Sequence, residues 1–206
     1  MRLLITAGPT REYLDSVRFL SNPSSGKMGY AIADSAVTRG HAVTLVSGPV
    51  ELSAPRGVEL IRVVSAADML AASLRAFELC DCAIMVAAVC DYRPVKREAK
   101  KLPKMREHFS IELEPTEDIC ATLGRIKGAR KVIGFALEDH DHEAHAAEKL
   151  ARKNCDAIVL NDLKTVNAEE AEIRILVSGE GFLPSIRGSK STVAQHVLEV
   201  VERMTC

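Results

Sequence analysis

The fold is decided by residues 3–50, which read LLITAGPTREYLDSVRFLSNPSSGKMGYAIADSAVTRGHAVTLVSGPV. The apolar run at residues 2–6 predicts a buried β-strand, and residues 42–47 predict a second one. Between them lies a polar loop, followed at about residues 26–39 by apolar side chains at helical spacing. A strand, a helix and a second strand in this order predict a parallel βαβ unit.

The same alternation continues to the end of the chain. Further buried strands are predicted at residues 58–63, 81–88, 131–136 and 156–161, with helices at about 66–79, 116–127, 142–154 and 190–204. The economical fold is α/β, with a mostly parallel sheet and helices on both faces. We predict a single domain over residues 1–206, because this length suits one α/β core and no low-complexity linker interrupts it.

Two segments depart from the alternation. A basic loop at about residues 90–108, which we call the flap, precedes a predicted strand with alternating apolar positions at Phe109, Ile111 and Leu113. Residues 173–186 predict a β-hairpin with glycines at its turn, directly before the last helix.

Composition limits the classes of partner. The formal net charge is -1, with 47% hydrophobic and 27% charged residues, so neither nucleic acid nor an anionic membrane surface is expected. No apolar run approaches the length of a membrane-spanning helix, and the six cysteines show no zinc-type spacing. Unpaired thiols suit a reducing compartment, so we expect a cytoplasmic protein that binds any anionic ligand in a local site.

The stretch EDHDHEAH at residues 138–145 contains the side chains of a metal site without its spacing. Its histidines and carboxylates match no closed zinc pattern. An acidic loop that leads into a helix N-terminus is the simpler interpretation. We therefore predict no metal-binding residues in the chain.

The loop before the first helix carries the polar residues of a candidate site. SSGKMG begins the helix with Ser24 or Ser25 as the predicted N-cap, and Gly26 allows a backbone or a phosphate to approach closely. A helix N-terminus favours anions, and Arg18 and Asn22 add a cationic donor and an amide just upstream. An ordinary capped helix after a long loop is the alternative interpretation.

A dinucleotide-binding reductase would also begin with a strand, a glycine turn and a helix. Two features disfavour that alternative. No Gly-x-Gly-x-x-Gly follows the first strand, and the second strand ends in LVSGPV without an acidic residue at its tip to bind a ribose hydroxyl.

Several stretches resemble the phosphopantothenoylcysteine synthetase family of coenzyme A biosynthesis, which bacteria often carry as the C-terminal half of a bifunctional flavoprotein. Residues 3–50 resemble the opening of its members. The resemblance continues through AAVCDYRP, KLPK, EPTEDI, GFA, EKLARKNCDAIVLND and GSKSTVAQHVLEVV. It implies a Rossmann-like fold and a homodimer whose interface includes the hairpin at residues 173–186.

The resemblance also implies a ligase that joins 4'-phosphopantothenate to L-cysteine with CTP and Mg2+. The substrate carboxylate would attack the α-phosphate of CTP to give an acyl-cytidylate and pyrophosphate, and the cysteine amine would then displace CMP. Such chemistry depends on positioning and charge neutralisation. A fused or separate phosphopantothenoylcysteine decarboxylase is an implied partner. We interpret this chain as either a stand-alone synthetase or one half of such a fusion, and we expect it to bind no flavin.

Site residues follow from the resemblance, position by position. It implies that Asn22 handles the acyl-nucleotide intermediate and that Lys101 of the flap closes over the triphosphate as a catalytic lysine. Implied substrate-binding residues are Arg18, Ser25, Gly26 and Lys27. Implied nucleotide-binding residues are Gly8, Ala87, Asp91, Thr116, Glu117, Asp118, Ile119, Phe135, Lys149 and Lys153. By spacing alone, the last two lysines are equally well interpreted as solvated surface.

The flap departs from the family pattern. Pro103 replaces a usual lysine, so Lys100, Lys101 and Lys104 all remain candidates for the lysine that reaches phosphate. Proline also stiffens the segment. A nucleotide-binding homologue without ligase activity is therefore the alternative to an active enzyme.

Overall fold

The computed structural model describes residues 1–104, 108–138, 142–162 and 170–205. Its strands are β1 Arg2–Ala7, β2 Arg11–Tyr13, β3 Phe19–Ser21, β4 Ala42–Ser47, β5 Glu59–Arg62, β6 Cys82–Met85, β7 Tyr92–Pro94, β8 Leu113–Pro115, β9 Lys131–Glu138, β10 Ala157–Asp162, β11 Glu170–Val177, β12 Gly181–Phe182 and β13 Ile186–Ser189. Its helices are α1 Lys27–Thr38, α2 Ala66–Phe77, α3 Ile119–Arg125, α4 His142–Arg152 and α5 Lys190–Thr205.

One large sheet forms the centre of the described part of the chain, in the order β12-β11-β10-β9-β6-β1-β4-β5, with β13 beside β11. Within this sheet, six neighbouring strands run parallel, in the order β5, β4, β1, β6, β9 and β10. β11 is antiparallel to β10. β1 lies between β4 and β6, and its apolar side chains are buried. Burial on both faces is typical of a central strand in a parallel sheet. The mostly parallel α/β sheet predicted from the sequence is therefore confirmed.

Helices cover both faces of this sheet and divide the core into two layers. α1 and α5 pack side by side on one face, where Ile32 and Val197 are buried. α2, α3 and α4 cover the other face, where Met69, Leu123 and Ala146 are buried. Among the described residues, no helix combines the length and the apolar character needed to cross a membrane.

An ion-pair cluster joins the C-terminal ends of α1 and α5. Glu202 accepts from Arg39 Nε at 2.9 Å and from Arg39 Nη2 at 2.5 Å, and its Oε1 lies 2.8 Å from His41 Nε2. The hydrogen bond from Arg39 is the main reason that the pKa of Glu202 falls from 4.5 to about 2. The charged carboxylate therefore favours the folded state.

We expect Glu202→Gln to lower the free energy of unfolding by about 1 kcal/mol near neutral pH, because it removes a bidentate charge-assisted pair. A lowered pKa stabilises the fold above the unfolded value, and this contribution is lost as pH falls through the folded value. The difference from wild type should thus be constant above pH 4.5, shrink below it, and vanish once the pH has fallen below about 2. Urea unfolding across this range measures it; Glu199→Gln, on an exposed carboxylate of the same helix, is the control.

The start of α1 differs from the prediction. The N-cap is Gly26 and not Ser24 or Ser25, and it adopts φ +76°. A side chain at this position would not fit, since a Cβ atom would lie 2.9 Å from Cγ1 of Val50. The chain therefore enters α1 through a left-handed residue, which glycine adopts without strain.

The flap and its surroundings also differ. The predicted strand through Phe109 and Ile111 is wrong: both side chains are exposed, and only residues from Leu113 onward pair with β7. The alternation fails because no core lies beneath this segment. β2 and β3 form a second small sheet that the sequence did not predict, whereas the antiparallel hairpin of β11 and β12 agrees with prediction. Residues 105–107 of the flap and 139–141 of the histidine-rich stretch lie outside the described residues.

Candidate functional site

The carboxyl ends of β1 and β6 meet where the connections of the sheet reverse direction. Gly8 follows β1, and its carbonyl oxygen accepts a 2.9 Å hydrogen bond from the N–H of Ala88. The Thr6 hydroxyl accepts from the N–H groups of Val86 and Ala87, at 3.1 and 3.2 Å. These bonds fix the end of β6 against β1, at the edge where open α/β sheets bind ligands.

Asn22 follows β3 directly and reaches the same edge with its side chain. Its Nδ2 atom donates to the carbonyl oxygens of Val89, at 2.9 Å, and Ala88, at 3.4 Å. These bonds engage the amide nitrogen, and Oδ1 of the exposed side chain stays an acceptor for a ligand. The position of Oδ1 therefore suits an acceptor that orients an N–H group of a ligand.

The N-terminus of α1 lies beside this carboxamide without a side-chain cap. A Cβ atom on Gly26 would stand 3.4 Å from Cα of Gly8, so the two backbones pack closely. Ser25 is half-buried and Lys27 is exposed just before the first turn closes. The pKa of Lys190, at the start of α5, is lowered by burial and by the charge of Lys27. Uncapped N–H groups and two lysines make this surface suitable for an anion.

Asp91 and Thr116 continue the edge from β6 toward α3. The N–H of Thr116 donates to the carbonyl oxygen of Asp91 at 2.9 Å, and its hydroxyl donates to that of Cys90 at 2.5 Å. The carboxylate of Asp91 is exposed. The structure thus brings together two predicted nucleotide-binding residues that are distant in sequence.

Asp118 and Lys153 form the far side of the site. Asp118 caps α3 by accepting from the N–H of Ala121 at 3.0 Å, and its Oδ2 lies 3.1 Å from Lys153 Nζ. Burial alone would raise the pKa of Asp118, but that hydrogen bond and the lysine charge outweigh burial and lower it. Lys153 is 22% exposed and ion-paired, so the solvated-surface interpretation does not describe it.

The other predicted nucleotide-binding residues differ in exposure. Glu117 is exposed, whereas Ile119 is 3% exposed and belongs to the core. Phe135 is half-buried in β9 and packs on the α1 and α5 side of the sheet. Lys149 is half-buried on α4, one turn before Lys153.

Lys101 of the flap is exposed, and the next residue is held firmly. Asp15 is completely buried, and its Oδ2 accepts from the N–H of Leu102 at 3.1 Å. Arg18 donates from Nη2 to the Leu102 carbonyl oxygen, and its Nε lies 3.0 Å from Oδ2 of Asp15. The structure therefore places Arg18 between the loop after β2 and the flap.

Sequence reasoning missed three buried polar residues that build the site: Thr6, Thr10 and Asp15. Thr10 accepts from the N–H of Cys90 at 2.9 Å through its hydroxyl. For Asp15 a signal existed, because an aspartate in a loop is typical of an Asx turn, in which its carboxylate accepts from the N–H groups two and three residues later. The threonines gave none beyond a hydroxyl at the end of an apolar strand.

Two cavities of the described residues lie away from the candidate site. One of about 760 Å³ is lined by residues of β2, β7 and the start of α2, and another of about 260 Å³ lies under the flap. Neither lining includes a predicted site residue. The candidate site is therefore separate from these two cavities.

Comparison with known proteins identifies the family. The model of the "DNA/pantothenate metabolism flavoprotein C-terminal domain" matches residues 1–204. The chain belongs to this family. This chain is 47% identical over 167 residues to the coenzyme A biosynthesis bifunctional protein CoaBC of Bacillus subtilis, covering 81% of the chain and 41% of the relative. A protein called cysteine/cysteine sulfinic acid decarboxylase, from an unknown prokaryotic organism, is 49% identical over 169 residues, with 81% and 47% covered.

A solved structure supports the same family assignment for this chain. The crystal structure of the C-terminal domain of CoaBC superposes with a TM-score of 0.84 at 42% identity, covering 98% of this chain and 94% of that one. The resemblance found in the sequence is thus confirmed, and the reductase alternative gains no support. The chain spans about half the length of the curated relatives it matches.

Proposed function

We propose that this chain is a phosphopantothenate–cysteine ligase, which uses CTP to activate 4'-phosphopantothenate and then joins it to L-cysteine. The relatives named for coenzyme A biosynthesis support the pathway. The observation that carries the reaction is the carboxamide of Asn22, held by Ala88 and Val89 beside the uncapped N-terminus of α1. An N–H acceptor next to an anion-binding surface is what attack of an amine on an acyl phosphate requires.

Different parts of the candidate site are proposed to bind phosphopantothenate and the nucleotide. Arg18, Ser25, Gly26 and Lys27 are proposed to bind phosphopantothenate, and the segment from Asp91 to Lys153 is proposed to bind the nucleotide. Mg2+ would enter with CTP, since it commonly binds through phosphates and one or two carboxylates. Asp91 and Glu117, both exposed, are carboxylates suited to that position.

A homodimer is the proposed assembly, and a phosphopantothenoylcysteine decarboxylase, fused or separate, is the proposed partner. Exposed large apolar side chains in the described residues include Val17, Phe19, Tyr92, Val95, Phe109, Ile111 and Leu113. They lie on and around the two small sheets, whereas β11 of the hairpin is mostly buried within its own chain. The small sheets are thus favoured over the hairpin as the interface, and sedimentation equilibrium tests for a dimer.

The proposed compartment is the cytoplasm. Five cysteines of the described residues are free thiols, and four of them are buried. A reducing environment keeps thiols in this state.

Pyrophosphate release tests the proposed function. The protein is incubated with 4'-phosphopantothenate and Mg2+, with CTP or ATP, and with or without cysteine. We expect pyrophosphate with CTP and CMP only after cysteine is added. A folded protein that releases neither product in any condition would favour the non-catalytic homologue, and equal rates with both nucleotides would contradict the assignment of CTP.

A further inference from the structure

We propose that Asp15 is a positioning residue that fixes the flap at Leu102 and so places Lys101 relative to Asn22. This inference rests on the proposed function for its catalytic consequence. The relevant group is the Asp15 clamp, defined as Asp15, Arg18 and the backbone of Leu102. Its partners are separated by 87 positions along the chain.

The Asp15 carboxylate serves two purposes at once. Its Oδ1 accepts from the N–H groups of Val17 at 2.8 Å and Arg18 at 2.7 Å, which closes a local turn. Its Oδ2 faces the N–H of Leu102 and the guanidinium of Arg18. The pKa is lowered to about 2, mainly by the backbone hydrogen bond from Arg18 and despite its burial. The buried carboxylate is therefore charged and fully partnered.

Leu102 is held through both of its backbone groups. Its N–H donates to Asp15, and its carbonyl oxygen accepts from Arg18. Pro103 follows Leu102 and restricts it to extended conformations. Pro103 itself has no N–H that could take the place of the Leu102 N–H at Asp15. A further hydrogen bond, from Glu98 N–H to the Leu14 carbonyl at 2.9 Å, ties the flap to the same turn.

The two proposed catalytic residues, Lys101 and Asn22, each lie within a few residues of the clamp along the chain. Lys101 precedes Leu102 directly, and Asn22 follows β3, which begins at the residue after Arg18. Displacing reacting groups by about 1 Å costs catalysis up to about 100-fold. Of the three candidate flap lysines, Lys101 is the one directly bonded to the clamped residue.

Asp15→Asn is the sharpest variant. The carbonyl oxygen of the asparagine keeps the turn to Val17 and Arg18. Its NH2 group, however, faces the N–H of Leu102 and the guanidinium of Arg18, which are both donors, so the contact to Leu102 is lost. Leu102→Pro is the second variant, because it removes the N–H while leaving Asp15 intact. Lys96→Gln is the matched control, since Lys96 lies exposed in the same segment outside the clamp.

Two readouts separate the clamp from the reaction. Limited trypsin digestion, at a temperature where each variant is shown to be folded, should cleave after Lys100 about tenfold faster in both variants than in wild type and Lys96→Gln. Pyrophosphate release should lose about 10- to 100-fold in kcat with a smaller change in KM for CTP. Asp15→Glu should restore neither, because the longer side chain cannot keep both sets of contacts.

Cleavage at the wild-type rate in both variants would overturn the clamp, and faster cleavage with unchanged kcat would overturn its role in positioning. Wild-type protein without ligase activity would overturn the proposed function and the catalytic consequence drawn here. The digestion would still decide whether Asp15 holds the flap, so the two failures are distinguishable.

Discussion

Replacing Asn22 with alanine is expected to stop product formation while leaving the first chemical step intact. The variant should release one equivalent of pyrophosphate per site from CTP and 4'-phosphopantothenate. Addition of cysteine should then give CMP about 100- to 1000-fold more slowly than in wild type. Rapid-quench measurement of pyrophosphate and CMP separates the two steps.

The reason lies in how Asn22 is held. Its Nδ2 atom is engaged by the carbonyl oxygens of Ala88 and Val89, so the side chain cannot turn its amide nitrogen to the triphosphate without breaking these bonds. The group it offers is Oδ1, an acceptor that can orient the amine of cysteine. No such acceptor is needed when a carboxylate attacks CTP, because that step requires cations and N–H donors.

The control is Ser21→Ala at the neighbouring position. It removes a side-chain hydrogen bond of 2.8 Å to the Thr10 carbonyl oxygen and touches no predicted site residue. It should keep both steps within about threefold of wild type, since a single partly buried hydrogen bond contributes only about 1 kcal/mol and this one lies outside the predicted site. Equal loss of pyrophosphate and CMP formation in Asn22→Ala would assign the residue to activation instead of aminolysis.

The central sheet could be predicted because burial on both faces makes its strands continuously apolar. β4 was predicted at its observed bounds, and β9 and β10 within two residues. The small sheets could not be predicted in this way. β2, β3, β7 and β8 have three residues each and partly exposed patterns, so they are too short for apolar periodicity to set their bounds.

Without the family resemblance, the candidate site was predictable only where its chemistry is local in sequence. Asn22 and Gly26 lie in one polar loop, and their proximity to the end of β1 follows from the βαβ topology. Asp15 was missed because its meaning depends on Leu102, far along the chain. The N-cap of α1 was wrong for a similar reason: Val50, beyond the next strand, excludes a side chain at Gly26.

Gly124→Ala is expected to be the most destabilising of these single changes, with a loss of at least about 3 kcal/mol in the free energy of unfolding. A Cβ atom at this position would lie 1.9 Å from the carbonyl oxygen of Lys153 and 3.1 Å from its carbonyl carbon. Both are backbone atoms, so no rotamer change relieves the clash. α3 must separate from the segment before β10.

That separation also reaches the candidate nucleotide site. Asn154 donates from Nδ2 to the Gly124 carbonyl at 2.8 Å, and Lys153 pairs with Asp118 at the opposite end of α3. Moving the helix stretches both contacts, so the fraction of Gly124→Ala that remains folded should show a raised KM for CTP. Urea unfolding and initial rates at saturating phosphopantothenate measure the two effects separately.

Gly188→Ala is the matched control, because a Cβ atom there would meet only the Thr192 side chain, at 3.1 Å or more. A contact of 3.1 Å is relieved by a shift of a few tenths of an ångström, whereas one of 1.9 Å is not, so a change below about 1 kcal/mol is expected for Gly188→Ala. If Gly124→Ala proved as stable as this control, α3 would not pack on Lys153 as closely as the structure has it. The ion pair between Lys153 and Asp118 would then lose its support as part of a preformed nucleotide site.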